Sequence, residues 1–141
     1  MITYTTMIQA EDYIRLRKAV GWTPISIRQA REGLVHTAYL CAATDNGTVV
    51  AMSRLLFDYG YVGYIADVIV LPEYQRQGIG SHMMGNILDW INTQIEPDDF
   101  VQINLAAAKG KEPFYRKFGF TDRPDAVSGA GMMKRIQKNR L

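Results

Sequence analysis

The chain has 141 residues, of which 48% are hydrophobic and 21% charged, and its formal net charge is +2. This composition is ordinary for a globular protein, and the length allows one hydrophobic core but not two. The small net charge gives no reason to expect a nucleic-acid partner, and no apolar run reaches the ~18 residues of a membrane-spanning helix. A single cysteine excludes an internal disulfide, and the first residues lack the pattern of a secretory signal. We therefore expect one domain over residues 1–141, located in the cytoplasm, with no nucleic acid and no membrane as partner.

The first part of the chain predicts an edge strand over residues 1–5 and then two short helices. Ser26-Ile27-Arg28-Gln29 has the spacing of a capping box, which predicts that the second helix starts there and ends near Gly33. Trp22, at the break between the helices, is either a core residue or one wall of a substrate pocket. The first helix, ended by Gly21, is predicted by apolar residues at helical spacing, which are Ile8, Tyr13, Leu16 and Val20.

An antiparallel meander is predicted for the next part of the chain. Residues 35–43 and 48–57 have the composition of two strands. Asp45-Asn46-Gly47 between them is a strong hairpin signal, because Asn-Gly accepts positive φ angles. A second reversal at residues 58–60 leads into a strand that ends at Pro72.

The stretch from residue 67 to residue 95 carries the strongest functional signal. The β-branched run Val68–Leu71, bounded by Pro72, predicts a buried strand. A loop with the sequence Gln-Arg-Gln-Gly-Ile-Gly follows, formed by Gln75, Arg76, Gln77, Gly78, Ile79 and Gly80, with Ser81 after it. Behind the loop a helix of about four turns is predicted by apolar residues at helical spacing, which are Ile79, Met83, Met84, Ile87, Leu88, Trp90, Ile91 and Ile95.

A strand, a tight glycine-containing loop and a helix N-terminus together form a site for an anion. The first N–H groups of the helix have no intrahelical partner, and the helix dipole adds partial positive charge. Gly78 and Gly80 lack the Cβ atoms that would keep a phosphate away from the backbone. A P-loop would need a lysine that is absent here, and a dinucleotide fingerprint would need a glycine where Met83 stands. The loop therefore predicts a pyrophosphate site, and a nucleotide-binding module is the disfavoured alternative.

The last part of the chain predicts a strand, a helix and a final strand. Residues 100–105 have the pattern of a strand, and residues 111–118 that of a short helix closed by Gly119. Gly131 to Ile136 is the predicted last strand, after a surface loop over residues 121–130. An exposed last strand would invite pairing between two copies, which leaves room for a homodimer.

These motifs resemble those of the GNAT acetyltransferase superfamily. Gln-x-x-Gly-x-Gly after Val70-Leu71-Pro72 resembles the acyl-coenzyme A loop of that family, and Phe114-Tyr115 with Gly119-Phe120 resembles its second motif. The order of elements resembles the family's fold over nearly the whole chain. The resemblance implies an α/β (α+β) fold with a central mixed, mostly antiparallel sheet and helices on both faces.

A finer likeness is to small bacterial and plant-chloroplast members of the family. It rests on the stretches Arg17 to Trp22, Arg54 to Asp58 and Asp67 to Gln75. Some plant relatives acetylate arylalkylamines such as serotonin, or protein lysines. Ala108 and Lys111 depart from the family pattern, since many members have an asparagine and an alanine at these positions.

The resemblance implies an N-acetyltransferase that moves an acetyl group from acetyl-coenzyme A to a primary amine by direct attack in a ternary complex. The acceptor is a small molecule, or a lysine or N-terminus of a protein. The departures at Ala108 and Lys111 keep open an acyl-coenzyme A-binding regulatory protein with little turnover. The expected cofactor-binding residues are Ile69, Val70, Gln75, Arg76, Gln77, Gly78, Ile79, Gly80, Ser81, Phe114 and Tyr115.

Acyl transfer needs an uncharged amine and a proton for the leaving thiolate. Only about one alkyl amine in 2,500 is uncharged at pH 7, so a base is useful. Asp67, Asp58 and Glu73 are the candidates. Asp67 is the best placed, because it starts the strand that should run along the thioester; its alternative role is a structural carboxylate that accepts hydrogen bonds. Tyr115 is expected, by resemblance, to act at the thiolate, and since a phenol near pKa 10 is ~2 kcal/mol too weak an acid, a hydrogen bond is favoured over full proton transfer.

A covalent acyl-enzyme and a metal are not expected. Cys41 lies in an apolar strand with no neighbouring cation that would lower its pKa. His36 is predicted in the same strand, either exposed or with a satisfied ring. His82, in the first turn of the central helix, could touch phosphate, although packing is favoured. No residues have metal-ligand spacing.

Overall fold

The computed structural model describes residues 1–138. The chain divides into two compact units, Met1–Leu105 and Ala106–Leu141, and each is described by itself. The expectation of one domain stays a prediction.

A five-stranded sheet forms the centre of the first unit. Its strand order is β1-β2-β3-β4-β5, with antiparallel pairing from β1 to β4 and parallel pairing between β4 and β5. The predicted α/β fold with a mixed, mostly antiparallel sheet flanked by helices is therefore confirmed. The elements are β1 (Ile2–Thr5), α1 (Ala10–Ala19), α2 (Ile27–Val35), β2 (Tyr39–Asp45), β3 (Thr48–Phe57), β4 (Val62–Val70), a 3₁₀ turn (Pro72–Tyr74), α3 (Ile79–Gln94), β5 (Gln102–Asn104) and, in the second unit, α4 (Glu112–Arg116).

Turn chemistry fixes the hairpin between β2 and β3 as predicted. Asn46 and Gly47 have φ angles of 48° and 85°, which are the left-handed values that a tight hairpin turn requires and that asparagine and glycine tolerate. The predicted meander from β2 to β4 is thereby confirmed.

The core of the first unit forms where the apolar faces of α1 and α3 pack on the sheet. Burial of each large side chain contributes about 1.5–3 kcal/mol, and the packing fixes α3 against β2, β3 and β4. The N-terminus of α3 is thus held on a rigid element. The fully buried apolar side chains include Leu16, Met52, Leu55, Ile69, Met83, Met84 and Ile87.

The boundary between α2 and β2 differs from the prediction. Helix α2 continues past Gly33 to Val35, and β2 begins only at Tyr39, so His36 caps the helix and does not lie in a strand. Gly33 does not end the helix, because it does not adopt the left-handed φ angle of a glycine that terminates a helix.

The predicted last strand is wrong. Residues 131–138 contain no strand, and Met132, Met133 and Ile136 are exposed. Two consecutive methionines point to opposite sides of an extended chain, so this segment has no single apolar face to bury. The exposed last strand that would have allowed two copies to pair is therefore absent from residues 131–138. The helix predicted over residues 111–118 and the strand over residues 100–105 are both present in shorter form.

Candidate functional site

The loop between β4 and α3 has the backbone conformation that an anion site needs. Gly78 is the N-cap of α3, with φ 82° and ψ 5°. A Cβ at this position would meet no atom within 4 Å. Glycine is therefore required for its left-handed conformation, and the space beside it stays open for a ligand.

The first turn of α3 presents its N–H groups to this space. No side chain among the described residues caps the helix, and the first helical hydrogen bond runs from the His82 N–H to the Gly78 carbonyl at 3.0 Å. The N–H groups of Ile79, Gly80 and Ser81 precede that bond and have no helical acceptor. Together with the helix dipole they favour a bound anion.

Two glutamine side chains hold the loop in place. Gln75 Nε2 donates to the Val70 carbonyl at 3.0 Å, and Gln77 Nε2 donates to the Glu73 carbonyl at 3.3 Å. These side chains tie the loop to the end of β4 and to the 3₁₀ turn. Their predicted contact with a cofactor stays a prediction, and their visible role is to shape the loop.

One further side chain, Tyr74, anchors the 3₁₀ turn that precedes the loop. The Tyr74 hydroxyl donates to Asp45 Oδ2 at 2.8 Å, and Asp45 also accepts from the N-terminal ammonium of Met1 at 3.0 Å. These hydrogen bonds hold the pKa of Asp45 below its ordinary value. Sequence reasoning missed this contact, because Tyr74 and Asp45 lie far apart in the chain.

Strand β4 has an open edge beside the loop. It pairs with β5 only from Val62 to Tyr64. The Leu71 N–H donates to the Val50 carbonyl at 3.0 Å, so the alternation of an antiparallel pair directs the backbone of Ile69 toward β3 and that of Val70 toward the open side. The Val70 N–H is thus placed to meet a ligand. The predicted role of the Ile69 backbone stays a prediction, with its groups directed at the neighbouring strand.

A bulge interrupts β4 just before this open edge. Met52 pairs with Ile69 and Arg54 with Ala66, so two residues of β4 lie opposite one residue of β3. Asp67 occupies the bulge with a φ angle of 52°. It lies within β4 and does not start it, contrary to the prediction.

The carboxylate of Asp67 is fully engaged by neighbouring side chains. Oδ1 accepts from Arg17 Nη1 at 2.8 Å, and Oδ2 accepts from Arg54 Nε at 2.8 Å and from the Tyr13 hydroxyl at 2.5 Å. Only 8% of the Asp67 side chain is exposed. This is the structural role that the sequence left as the alternative to a catalytic base.

The other two candidate bases lie in exposed turns. Asp58 Oδ1 accepts from the N–H groups of Gly60 at 2.8 Å and Val62 at 3.1 Å, which closes the turn between β3 and β4. Glu73 is exposed in the 3₁₀ turn. Neither is held in a desolvated environment that would favour proton abstraction.

Tyr115 lies in the second unit, on α4. Its ring packs edge-on against Phe114 at 5.1 Å and against Phe120 at 6.1 Å between centroids. Among described residues 106–138 its hydroxyl has no hydrogen-bond partner. Burial raises the pKa of Tyr115 above the ordinary value of 10.0, which makes the phenol a still weaker acid.

The two residues that depart from the family pattern, Ala108 and Lys111, lie in the turn before α4, where the Lys111 N–H donates to the Ala108 carbonyl at 2.9 Å.

His82 packs against the sheet. Its ring stacks on Tyr4 of β1 with centroids 3.7 Å apart and planes 12° apart. The favoured expectation of packing is confirmed.

Among residues 1–138 there is no group of three or more histidine, cysteine, aspartate or glutamate residues that could hold a metal ion. No helix in this part of the chain is long and apolar enough to span a bilayer.

Cys41 is a core residue. It is 1% exposed, and burial raises the pKa of its thiol, while the hydrogen bond from Asn86 Nδ2 to Sγ at 3.4 Å acts in the opposite direction. The burial of Cys41 and the net rise of its thiol pKa agree with the expectation that it forms no acyl-enzyme.

Replacement of Cys41 by alanine should therefore leave turnover within about twofold of wild type, and lower the free energy of unfolding by about 1 kcal/mol. Intact-mass measurement after incubation with acetyl-coenzyme A should find no acetyl adduct on the wild-type protein. An adduct on Cys41 together with lost turnover in Cys41→Ala would show a covalent route.

Residues 7–120 match the model of the Acetyltransferase (GNAT) family. This chain belongs to that family. The match includes β4, the loop, α3 and the Phe-Tyr motif of α4, so the geometry above and the sequence pattern lead to the same assignment. The chain is an acetyltransferase of the N-acetyltransferase type, and the family resemblance predicted from the motifs is confirmed.

Similar proteins extend over most of the chain. An uncharacterized N-acetyltransferase, ycf52, of Porphyra purpurea is 27% identical over 132 residues, covering 91% of this chain and 74% of its own length. The chloroplastic GCN5-related N-acetyltransferase 3 of Arabidopsis thaliana is 32% identical over 63% of this chain, which is only 35% of that protein. The crystal structure of a probable acetyltransferase of unknown function from Staphylococcus aureus superposes with a TM-score of 0.85 at 30% identity, covering 96% of this chain and 100% of that one.

Proposed function

We propose that this chain transfers an acetyl group from acetyl-coenzyme A to a primary amine by direct attack in a ternary complex. The observation that carries the proposal is the junction of β4 and α3. There, uncapped N–H groups behind a left-handed Gly78 lie next to the open edge of β4. The first feature suits a pyrophosphate and the second suits the amide groups of a pantetheine arm.

The residues present fit such a cofactor. The N–H groups of the segment Arg76–Ser81 would hold the pyrophosphate, because those of the first turn of α3 have no helical acceptor and the space beside Gly78 is open. The Val70 N–H would bind one pantetheine amide, as a neighbouring strand would. Phe114 and Tyr115 are proposed to contact the thioester end, by likeness to the family.

The proposed reaction forms one bond and breaks another. The amine nitrogen bonds to the acetyl carbonyl carbon, the carbon–sulfur bond breaks, and the electron pair leaves on sulfur. The proton lost by the amine goes to a base or to solvent, and the thiolate takes up a proton. The raised pKa of Tyr115 favours stabilisation of the thiolate by a hydrogen bond from the hydroxyl over donation of the full proton.

The acceptor is proposed to be a small-molecule amine or a protein amine. Residues 20–34 and 121–130 are proposed to shape its pocket. A cytoplasmic location remains part of the proposal; a homodimer does not, since the last strand that suggested it is absent from residues 131–138. The alternative is an acyl-coenzyme A-binding regulatory protein with little turnover, which Ala108 and Lys111 keep open, since they replace side chains common in the family.

An amine screen separates the enzyme from the alternative. Acetyl-coenzyme A is mixed with the protein and single amines, including serotonin, aliphatic diamines and Nα-capped lysine, and the free thiol is followed. The proposal expects thiol release that depends on an amine. Tight binding of coenzyme A in calorimetry with no release for any amine supports the regulatory protein, and displacement of coenzyme A by ATP at similar concentration supports a nucleotide site.

Substitution of Arg76 separates the contribution of its side-chain charge to coenzyme A binding from the contribution of the loop backbone. It is exposed, and its φ angle is 64°. Arg76→Ala should weaken coenzyme A binding by roughly 0.5–3 kcal/mol, and the loss should shrink at high salt. If Arg76 serves the 3′-phosphate of the adenosine, the loss should be smaller for the 3′-dephospho analogue.

Arg76→Lys is the matched control, because it keeps the charge and the same backbone constraint. It should retain most of the affinity in calorimetry. Equal affinity of wild type and Arg76→Ala at low salt would show that Arg76 only faces water.

A further inference from the structure

Four side chains from three elements meet in the first unit, and we call them the Asp67 cluster: Tyr13 and Arg17 of α1, Arg54 of β3 and Asp67 of β4. The exposed fractions of the Arg17, Arg54 and Asp67 side chains are 15%, 14% and 8%. Two guanidinium groups thus share one carboxylate in a largely buried setting. Charge-assisted hydrogen bonds of this kind are stronger and more directional than neutral ones.

The two arginines extend the cluster to the segments that connect the helices. Arg17 Nε and Nη2 donate to the Thr23 carbonyl at 3.2 and 2.6 Å. Arg54 Nη1 donates to the Gly33 carbonyl at 3.2 Å and to Thr37 Oγ1 at 3.1 Å. The cluster therefore ties the end of α1, the turn after it and the end of α2 to strand β4.

The geometry of Asp67 leaves little room for a role as base. An ionised carboxylate accepts at about four lone-pair positions, and three donors already occupy its two oxygens. Removal of a proton from an amine would require one donor to leave. The cluster instead holds Asp67 in its left-handed conformation inside the bulge of β4.

We propose that Asp67 is a positioning residue, which acts with Tyr13, Arg17 and Arg54 to hold the β4 bulge and so to aim the Val70 N–H at the acyl donor. The bulge sets which backbone groups of β4 face its open edge, because one inserted residue reverses the alternation beyond it. This inference rests on the proposed function, since it names the residues that position the same site. In this role none of the four residues of the Asp67 cluster transfers a proton.

Asp67→Asn removes the charge with little change of shape, and its amide nitrogen cannot accept the donors that face it. Hydrogen exchange without any ligand should show the Leu71 amide, which donates to the Val50 carbonyl just beyond the bulge, exchanging about tenfold faster than in wild type. Calorimetry should show weaker acetyl-coenzyme A binding. With the amine that the screen finds, kcat/KM should fall by about tenfold or more while its pH profile keeps its shape.

Two further variants keep the test decisive. Tyr13→Phe removes one donor and keeps the ring, so it should shift Leu71 exchange and kcat/KM in the same direction by a smaller factor, even if Asp67→Asn does not fold. Asp12→Asn is the matched control on α1, because Asp12 accepts from the Gln9 N–H at 3.2 Å and from Arg15 at 3.2 Å outside the cluster. It should lower thermal stability and leave Leu71 exchange and kcat/KM unchanged.

Two results would overturn the proposal. Loss of the acidic limb of the pH profile in Asp67→Asn, with unchanged Leu71 exchange and an unaffected Tyr13→Phe, would identify Asp67 as the base. A lower melting temperature with no change in exchange, affinity or kinetics would leave the cluster a merely structural role. The exchange measurement needs neither cofactor nor amine, so a failure of the proposed acetyl transfer is distinguishable from a failure of this inference.

Discussion

Replacing Gly78 with valine should weaken coenzyme A binding by well over tenfold. Gly78 has a φ angle of 82°, which a β-branched residue adopts only at a cost of roughly 1–2 kcal/mol or more. A relaxed backbone would turn the N–H groups of Ile79 and Gly80 away from the phosphate. If the backbone keeps its conformation, the side chain extends into space where no protein atom lies within 4 Å, and there it meets the ligand.

Gly47→Val provides the matched control for this variant. Gly47 has a φ angle of 85° and also nothing within 4 Å of an added Cβ, but it lies in the hairpin between β2 and β3. Both variants should therefore lose similar stability in thermal unfolding, whereas only Gly78→Val should lose affinity in calorimetry. Wild-type affinity in a folded Gly78→Val protein would remove the loop from the cofactor site.

Replacing Tyr115 with phenylalanine should lower turnover by something like 10–10³-fold, because the hydroxyl acts mainly as the thiolate develops. The ring and its packing on Phe114 and Phe120 are kept, and the hydroxyl has no partner within the described residues 106–138. The free energy of unfolding should change by no more than ~1 kcal/mol. Coenzyme A affinity should be nearly unchanged, since the loop residues supply most of that binding, and the loss should fall on kcat with KM unmoved.

The pH dependence of kcat distinguishes two roles of the hydroxyl. Burial raises the pKa of Tyr115 above its ordinary value, so the protonated form persists to a higher pH and any alkaline loss due to it is displaced upward from that of an exposed tyrosine. Disappearance of that alkaline limb in Tyr115→Phe would identify a proton donor, and its persistence a hydrogen-bond stabiliser. Tyr61→Phe, on an exposed ring, is the control. Wild-type kcat in Tyr115→Phe, with chemistry rate-limiting, would exclude Tyr115 from the mechanism.

The loop could be predicted from the sequence because its information is local. Glycine after a β-branched strand and before a helical pattern specifies the left-handed N-cap found at Gly78. The hairpin at Asn46-Gly47 was predictable for the same reason. In both cases a few adjacent residues determine the backbone angles.

The partners of Asp67 could not be predicted from one sequence. Tyr13 and Arg17 precede it by 54 and 50 residues, and the helical pattern of α1 identifies Tyr13 only as an apolar position. The bulge that directs Asp67 toward them is a feature of strand pairing, not of local composition. Sequence reasoning therefore found the residue and left its role open.

The errors near the C-terminus and at α2 have a similar origin. A short segment such as Gly131 to Ile136 forms a strand only where a partner strand and a buried face exist, and its exposed Met132 and Met133 have neither. Gly33 suggested a helix end, whereas in the structure α2 continues to Val35 and the Gly33 carbonyl accepts from Arg54 of β3. Long-range packing decided both positions.

The central claim, direct transfer of an acetyl group to an amine, is tested most directly by following the label from isotopically labelled acetyl-coenzyme A. The protein is incubated with the labelled thioester and the amine found in the screen, and mass spectrometry quantifies both products. We expect free coenzyme A and labelled N-acetyl amine in equal amounts, both falling in parallel in Gly78→Val and neither in Gly47→Val. Label recovered as free acetate at a rate independent of the amine, or no thiol release despite bound cofactor, would contradict the account.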